Sequence, residues 1–389
     1  MKYVPDNEYL LNDVKIKSDQ TDLEKDKLYL FVRQRENTRI LGFFKFHLWM
    51  YNLSRPDSKE NWLKRTGEPP QIYNQVLADQ STEQLLTYLH NKGYYHARVE
   101  VNSHINERSR KIDLKYSIRT GEQFRIDKVT QLIEDSVIRN LYDREYIPKH
   151  FRTGAPLDME LLDIERDSII RFMKNRGFYH FSKPMLFIEA DTVNKIRKGD
   201  LTLFIRLPEA NKKDSNRIYS PYNIEHFYFN ILKSGTTSSS FDTINFPRHT
   251  FVYPGNLYFR PNLFLRMNKM LQSSHYSLGN AEHTFEALNR LRQFRFINIY
   301  FQEKMADADT SLLNCFIDLS PLNKQAVSFD LEGTNTSGNL GVAGNLTYSH
   351  RNLFHGAEIL NMKVKGAMER QQALMGGQSL DFNTRELGV

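Results

Sequence analysis

Leu85-Leu86-Thr87-Tyr88-Leu89-His90-Asn91-Lys92-Gly93-Tyr94-Tyr95-His96 is answered later in the chain by Ile169-Ile170-Arg171-Phe172-Met173-Lys174-Asn175-Arg176-Gly177-Phe178-Tyr179-His180. Gly93 and Gly177 stand 84 positions apart, and each stretch runs from an amphipathic helix through a glycine stop into a strand. Self-similarity at a fixed spacing marks an array of like units. Such arrays display surfaces and seldom house one deep catalytic pocket.

Working outward, Tyr9 to Lys17 alternates as a strand anchored by Leu11, Val14 and Ile16. A helical pattern follows over Leu28 to Arg35. A second helix is expected from Ser81, where Ser81-Thr82-Glu83-Gln84 supplies a capping hydroxyl and an acidic first turn, to Gly93. Glycine adopts the left-handed C-cap at little cost. Tyr95 to Val101 and then Ile112, Leu114, Tyr116 and Ile118 give two strands, the latter with strict period two. The order strand, helix, helix, strand, strand recurs in a second copy. Its marks are Phe124, Ile126 and Val129, helices over 136–142 and 158–176, and an alternating strand Leu201, Leu203, Ile205 and Leu207.

A third copy is degenerate. Ile224, Phe227 and Phe229 open it, 263–271 and 280–292 are helical, and 313–319 closes it; Gln293-Phe294 stands where the glycine stop would be. The expected domains are therefore residues 1–120 with an insertion at 38–74, 121–210, and 219–321 with an insertion at 233–256. The first insertion carries Phe43-Phe44-Lys45-Phe46-His47-Leu48-Trp49-Met50-Tyr51, either a contact patch for a membrane or partner or a helix buried against its own domain. The second reads as a loop with an extra hairpin strand.

From Pro321 onward helical periodicity ends. Val327, Phe329 and Leu331 alternate with Ser328, Asp330 and Glu332; Leu340, Val342, Leu346 and Tyr348 mark a second strand, and Ile359, Met362, Val364 and Gly366 a third. Strands of about ten residues, apolar on one face and small or polar on the other, fit a transmembrane β-barrel or an ordinary soluble meander. Residues 322–389 form this last region.

A run of strand-helix-helix-strand-strand units, each ending its second helix at Lys/Arg-Gly-Tyr/Phe-Tyr, resembles polypeptide-transport-associated (POTRA) domains. The stretch Arg351-Asn352-Leu353-Phe354-His355-Gly356-Ala357-Glu358, with Gly366 and Glu369, resembles the first barrel hairpins of the outer-membrane assembly family that includes BamA and TamA. The opening Lys2-Tyr3-Val4-Pro5-Asp6-Asn7-Glu8-Tyr9-Leu10-Leu11 and the enlarged first unit look most like its TamL lipoprotein branch. The resemblance implies an α+β fold, tandem POTRA-like β-α-α-β-β modules followed by the first strands of an antiparallel transmembrane β-barrel. It implies an outer-membrane protein with periplasmic modules, a leader and lipid-bearing cysteine ahead of this chain, and a barrel continuing past Val389.

The implied function is assembly or translocation of proteins at the outer membrane, with unfolded outer-membrane clients, accessory periplasmic or inner-membrane proteins and outer-membrane lipid as partners. Gly93 and Gly177 are the structural helix stops. Val327, Phe329 and Leu331 mark the strand that would form the barrel's seam, and Asn352, Leu353, Phe354, Gly356 and Glu358 form the barrel motif. A two-partner-secretion transporter and a soluble adaptor are the alternatives.

The chemistry of the residues points away from catalysis. The net charge of +7 is dispersed, and the densest basic runs, Arg108-Ser109-Arg110-Lys111 and Asn211-Lys212-Lys213, fall in expected loops, so no nucleic acid is expected. The lone Cys315 excludes an intrachain disulfide and reads as an inward strand residue. There is no phosphate loop and no metal spacing, and no cofactor is expected. His96 and His180 share an equivalent strand-start position. Asp158, Glu160, Asp163 and Glu165 suit a helix start, where the dipole favours acids. No apolar run is long enough for a membrane helix.

Overall fold

The structure, a computed structural model, describes all residues except 1–2, 43, 55–60, 193–196, 207–218, 233–240, 273–274, 305–310, 337–338, 373–380 and 389. Phe43 and the Asn211-Lys212-Lys213 run lie outside the described residues. The chain forms two compact units, Met1–Ser168 with Lys183–Arg206, and Ile169–Ser182 with Leu207–Val389.

In the first unit, β1 (Leu10–Ser18), α1 (Lys25–Leu30), α2 (Phe46–Leu53), α3 (Trp62–Thr66), α4 (Gln75–Asn91), β2 (Arg98–Asn106) and β3 (Lys111–Arg119) make one repeat. Its sheet has the order β1-β3-β2, with β1 parallel and β2 antiparallel to β3. Ile112, Leu114, Tyr116 and Ile118 all point inward, as their alternation requires, and bury against Leu28, Ala78, Leu85 and Leu89 of the helices. The second repeat supplies β4 (Arg125–Ile133), α5 (Ser136–Glu145), α6 (Met159–Asn175), β5 (Leu186–Asp191) and β6 (Lys198–Ile205). Its order, β4-β6-β5, is the same with the same directions. Helix α6 begins in the first unit and passes into the second at Ile169.

The second unit continues with β7 (Asn223–Ile231), β8 (Asp242–Phe246), β9 (His249–Tyr253), α7 (Pro261–Met267), α8 (Leu278–Arg290), β10 (Phe294–Glu303) and β11 (Leu312–Pro321). Strand order β10-β11-β7 repeats the pattern a third time, and the inserted hairpin extends it through β9, parallel to β7, and then β8. Phe227, Phe229, Phe251, Phe259 and Phe264 fill this core, and Cys315 is fully buried among them, its thiol pushed up by burial. A separate antiparallel meander, β12 (Gln325–Thr336), β13 (Asn339–Arg351), β14 (Ile359–Gln372) and β15 (Asp381–Gly388), follows in simple order.

Several expected boundaries shift. Helix α4 starts at Gln75, capped by the Asn74 side chain, which accepts from Val76 N and Leu77 N. Ser81 therefore caps nothing: it is buried mid-helix, its hydroxyl donating to Leu77 O at 2.6 Å and accepting from Arg33 N at 3.0 Å. The 28–35 helix is Lys25–Leu30, and the strand expected from Tyr95 begins at Arg98. In the third repeat the left-handed C-cap is not lost. Arg292 holds it, with φ of 53°. The meander has a fourth strand, Asp381–Gly388, beyond the three expected. In the aromatic insertion Leu48 buries with Val4 and Leu10, while Phe44, Trp49 and Leu53 stay exposed.

The carboxylates around the start of α6 serve separate structural ends. Asp158 caps the helix through Glu160 N at 2.9 Å, and Asp163 pairs with Lys183 at 2.8 Å. Glu165 is buried and accepts from Tyr146 OH at 2.6 Å, Lys149 N at 3.1 Å and His150 N at 2.7 Å. Burial, then the Glu165 carboxylate, raises the Tyr146 phenol. Glu165→Ala would strand three donors, so a loss of roughly 3 kcal/mol is expected in chemical denaturation, given the usual worth of bonds to charged groups. Glu165→Gln, which can keep part of the set, should lose less.

Candidate functional site

Three features of the fold bear on a candidate site: the joints between repeats, the sheet edges, and one face of the meander. The joints explain the repeated motif. Gly93 (φ +84°) follows the end of α4, and its carbonyl accepts from Phe124 N at 2.9 Å, where the next repeat begins. Gly177 (φ +102°) does the same for Tyr222 N, also at 2.9 Å. The aromatic residues after each glycine pack on that same position. Tyr95 and His96 lie 4.9 and 5.5 Å from Phe124, and Tyr179 and His180 lie 6.0 and 5.2 Å from Tyr222, between ring centroids.

Each helix end also meets the N-terminus of the next repeat's second helix. Lys92 pairs with Asp158 at 2.9 Å and with Glu160; Asn175 Oδ1 accepts from Ser277 Oγ at 3.3 Å and Gly279 N at 2.8 Å. Burial pulls the Lys92 ammonium down, but Glu160 and Asp158 more than offset it and hold it above the usual lysine range. The Gly-aromatic-Tyr-His element is thus a joint as well as a helix stop. His96 packs at it tilted against Phe124, and His180 packs edge-on against Tyr222.

The edges follow one rule in all three repeats. The outer edge of the first strand is covered by the segment that leads into the second helix. In the first repeat Leu11 N donates to Gln71 O at 2.8 Å and Tyr73 N to Tyr9 O at 2.9 Å. In the second, Ile126 N donates to Ala155 O at 2.9 Å and Leu157 N to Phe124 O at 2.8 Å. In the third, Tyr276 N donates to Tyr222 O at 2.8 Å, and β9 pairs along the rest of β7. The opposite edge is the middle strand: β2, β5 or β10. Among the described residues no strand or bridge pairs with the outer side of any of the three. An unpaired edge is a template for an added strand unless it is blunted.

The meander separates its faces row by row. Register places Val327 beside Tyr348 and Met362, Phe329 beside Leu346 and Val364, Leu331 beside Gly344 and Gly366, and Val342 beside Met368. The other face carries Ser328 with Thr347 and Lys363, then Asp330 with Asn345 and Lys365. Val327, Phe329 and Leu331 are 67, 68 and 69% exposed. An apolar face three strands wide is far beyond the scattered apolar residues of an ordinary surface.

The turn after β13 brings Asn352, Glu358 and the backbone amides of Phe354 and Gly356 together, while the side chains of Leu353 and Phe354 are exposed. Glu358 Oε2 accepts from Phe354 N at 3.2 Å and Gly356 N at 3.1 Å, and a Cβ on Gly356 would sit 2.5 Å from Glu358 Oε1. Asn352, His355 and Ala357 all hold positive φ (58°, 65° and 69°). Such strain persists only where surroundings over-determine it. Here Asn352 Nδ2 donates to Tyr258 O, Arg260 N to His355 O at 2.9 Å, and Gln293 Nε2 to Ala357 O at 3.0 Å. Leu322 N donates to Gln293 O at 2.8 Å, the bond that Gly93 and Gly177 accept in their joints.

Tyr258 was not singled out in the sequence, and Gln293, read there only as standing in place of the third glycine stop, was given no role at this turn. Backbone amides at Glu358 itself, Phe354 and Gly356 hold the Glu358 carboxyl below the usual carboxylate range. A depressed carboxyl stabilises above its unfolded value and is lost as pH falls through the folded one. Protection of the Phe354 and Gly356 amides from hydrogen exchange should therefore collapse on acidification below about pH 4, where free Glu titrates, while core amides of β11 stay protected.

Residues 9–121 match the family profile of POTRA, surface antigen variable number repeat, which types the first repeat as a POTRA domain. No curated protein matches the chain. Among solved structures, it is similar to BamA POTRA3-5 of Haemophilus influenzae at 10% identity and a TM-score of 0.36, covering 82% of this chain and 99% of that one. BamA of Haemophilus ducreyi lacking POTRA domains 1-3 gives 10% identity and a TM-score of 0.37, covering 67% and 46%. CdiB of Acinetobacter baumannii gives 12% and 0.29, covering 64% and 39%. The chain spans under half the length of these last two structures. No helix among the described residues is long and apolar enough to cross a membrane, which says nothing of strands.

Proposed function

We propose that this chain is part of a non-enzymatic machine that assembles proteins into the bacterial outer membrane or moves them across it, its repeats lying in the periplasm. The observation that carries this reading is the set of three equivalent open edges, β2, β5 and β10, each in a repeat that covers the outer side of its own first strand, the third by an inserted hairpin whose β8 is a further edge. Strand addition at such an edge reads backbone rather than side chains, which suits unfolded clients of many sequences. The match of residues 9–121 to the POTRA family supports this setting.

The meander supplies the membrane part of the proposal. Its apolar face would meet lipid and its first strand, with Val327, Phe329 and Leu331, would be the start of a barrel. Backbone groups in lipid must be paired, so the outer edge of β12 needs a partner there, either a last barrel strand or a client strand. Energy would come from the client's folding, and no nucleotide or metal site is required. The lipoprotein branch, with its lipid-bearing cysteine, belongs to this proposal as well. A two-partner-secretion transporter would use the same edges for one dedicated passenger.

Single cysteines along β2, β5 and β10, and as controls along 71–73 and 154–157, are to be tested for disulfide cross-linking. The probe is an unfolded outer-membrane barrel protein carrying cysteines in one strand. Cross-links should concentrate on the three middle strands, at alternate positions. Equal labelling of the covered segments, or none on any edge, would remove edge capture from the account.

A further inference from the structure

The three open edges differ in what their side chains offer an added strand. On the face away from the helices, β2 carries Glu100, Asn102 and His104, since Val99 and Val101 turn to the core. Strand β5 carries Phe187 and Glu189 there, with the Arg206 guanidinium 5.3 Å from the centre of the Phe187 ring. On β10 that face carries Phe296, Asn298 and Tyr300, because Ile297, Ile299 and Phe301 pack on the core. Tyr300 is the last of three rings in one row. Register sets it beside Phe316 of β11, and Phe316 beside Tyr228 of β7. The ring centroids are 5.2 and 4.7 Å apart, and the planes lie within 12° and 11° of parallel. At the far end the row passes to Thr250 of β9, whose hydroxyl donates to Asn245 Oδ1 at 2.9 Å. At β10 it stops: among the described residues, Phe316 is the one ring packed on Tyr300. The stack ends in an unused aromatic face at an open edge.

The backbone has the matching phase. Lys304 N donates to Leu312 O at 3.0 Å, which makes that pair, and every second pair along β10 and β11, hydrogen-bonded. Tyr300–Phe316 is one of these, so Tyr300 directs its amide and carbonyl to β11 while those of Ile299 and Phe301 point outward. An antiparallel strand added here would bond to Ile299 and Phe301. Its residue opposite Tyr300 would fall in a non-hydrogen-bonded pair, where side chains come closest.

We propose that β10 selects, among unfolded client strands, those that set an aromatic side chain beside Tyr300 as the fourth ring of the row. A second aromatic four residues along would face Phe296, which is 58% exposed, and a polar residue between the two would face Asn298. Asn298 itself continues a polar row, in which Asn230 Nδ2 donates to Asp318 Oδ1 at 2.7 Å. Main-chain bonds hold such a strand and the ring contact chooses it. The other two edges lack this selector, so clients bearing such aromatics would gather on the third repeat. The proposal rests on the reading of the edges as capture sites, and the experiment below separates the two.

The full chain in a neutral maltoside micelle, carrying Gln302→Cys on β10 or His104→Cys on β2, is equilibrated in a glutathione buffer with a short peptide of alternating Thr and Val. Cys315 is buried and does not compete. The peptide bears a cysteine two places before its central Thr, where it would face position 302, and the central residue is left as Thr or replaced by Leu or Phe. Cross-linking to β10 should be about fivefold more favourable with Phe than with Leu or Thr, the usual worth of a stacked aromatic pair beyond its area. On β2 the three peptides should cross-link equally. Tyr300→Thr should abolish the preference and Tyr300→Phe should keep it. The comparison among peptides on the Gln302→Cys chain gives a reading even if the Tyr300 variants do not fold. Equal cross-linking of all three peptides to β10, or a Phe preference that survives Tyr300→Thr, would overturn the proposal and leave edge capture standing. No cross-link to β10 by any peptide would overturn edge capture there, and this proposal with it.

Discussion

Gly93→Val is expected to cost about 2–4 kcal/mol, near the upper end for a single substitution. Two effects add. A β-branched residue at φ +84° is strained by roughly 1–2 kcal/mol on its own, and the new Cβ would sit 2.5 Å from the backbone carbonyl oxygen of Leu157. Because that oxygen is main chain, it cannot swing aside as a side chain would. Gly177→Val carries the same strain at φ +102°, but its nearest neighbour is Pro221 Cβ at 2.9 Å, and a smaller loss is expected. The two variants also separate stop from joint. Chemical denaturation gives the stability, and limited proteolysis near Gln123 and Tyr222 shows whether the next repeat has come away. A helix stop alone would leave those sites protected.

A charge on the apolar face of the meander is the second large effect. Leu346 lies mid-strand in the row Phe329–Leu346–Val364. In a bilayer, Leu346→Arg should lose roughly 2–4 kcal/mol, the cost of a basic side chain at the midplane of a barrel wall. On a water-facing sheet the same change at a half-exposed site is expected to stay within about 0.5 kcal/mol. Thr347→Arg, one residue on and on the opposite face, is the internal control. Folding into lipid vesicles, titrated with urea, reads both; a Leu346→Arg loss no greater than that of Thr347→Arg would place this face in water.

Much of this was legible in the chain. Strict alternation at Ile112–Ile118 and at Leu313–Leu319 marked the last strand of two repeats, each paired on both sides in its sheet, because a strand buried on one face leaves period two in the sequence. The 84-residue spacing located two of the three helix stops. What escaped was chemistry that depends on the fold. Ser81 looked like a cap, yet its hydroxyl is used inside the helix to hold Arg33, a contact 48 residues away. Arg292 occupies the left-handed position without glycine, so the third stop left no mark.

That Gly93 and Gly177 each anchor the following repeat could not be seen either, since the partner is an ordinary amide at Phe124 or Tyr222. The parallel pairing of β9 with β7 and the weld of the 351–358 turn to Tyr258 are likewise invisible to local pattern. In that turn Asn352 and His355 are of residue types enriched in left-handed backbone, and Ala357 is not.

The central claim is that the alternation of β12 divides lipid from water next to repeats that capture strands. Nitroxide labels placed singly from Ala326 to Glu332, in the chain reconstituted into phospholipid vesicles, test it directly. Collision rates with oxygen, which concentrates in lipid, and with a water-soluble nickel chelate should oscillate with period two and in opposite phase. Oxygen contact should peak at Val327, Phe329 and Leu331, and nickel contact at Ser328, Asp330 and Glu332. High nickel contact at all seven positions, with no oscillation, would contradict the account.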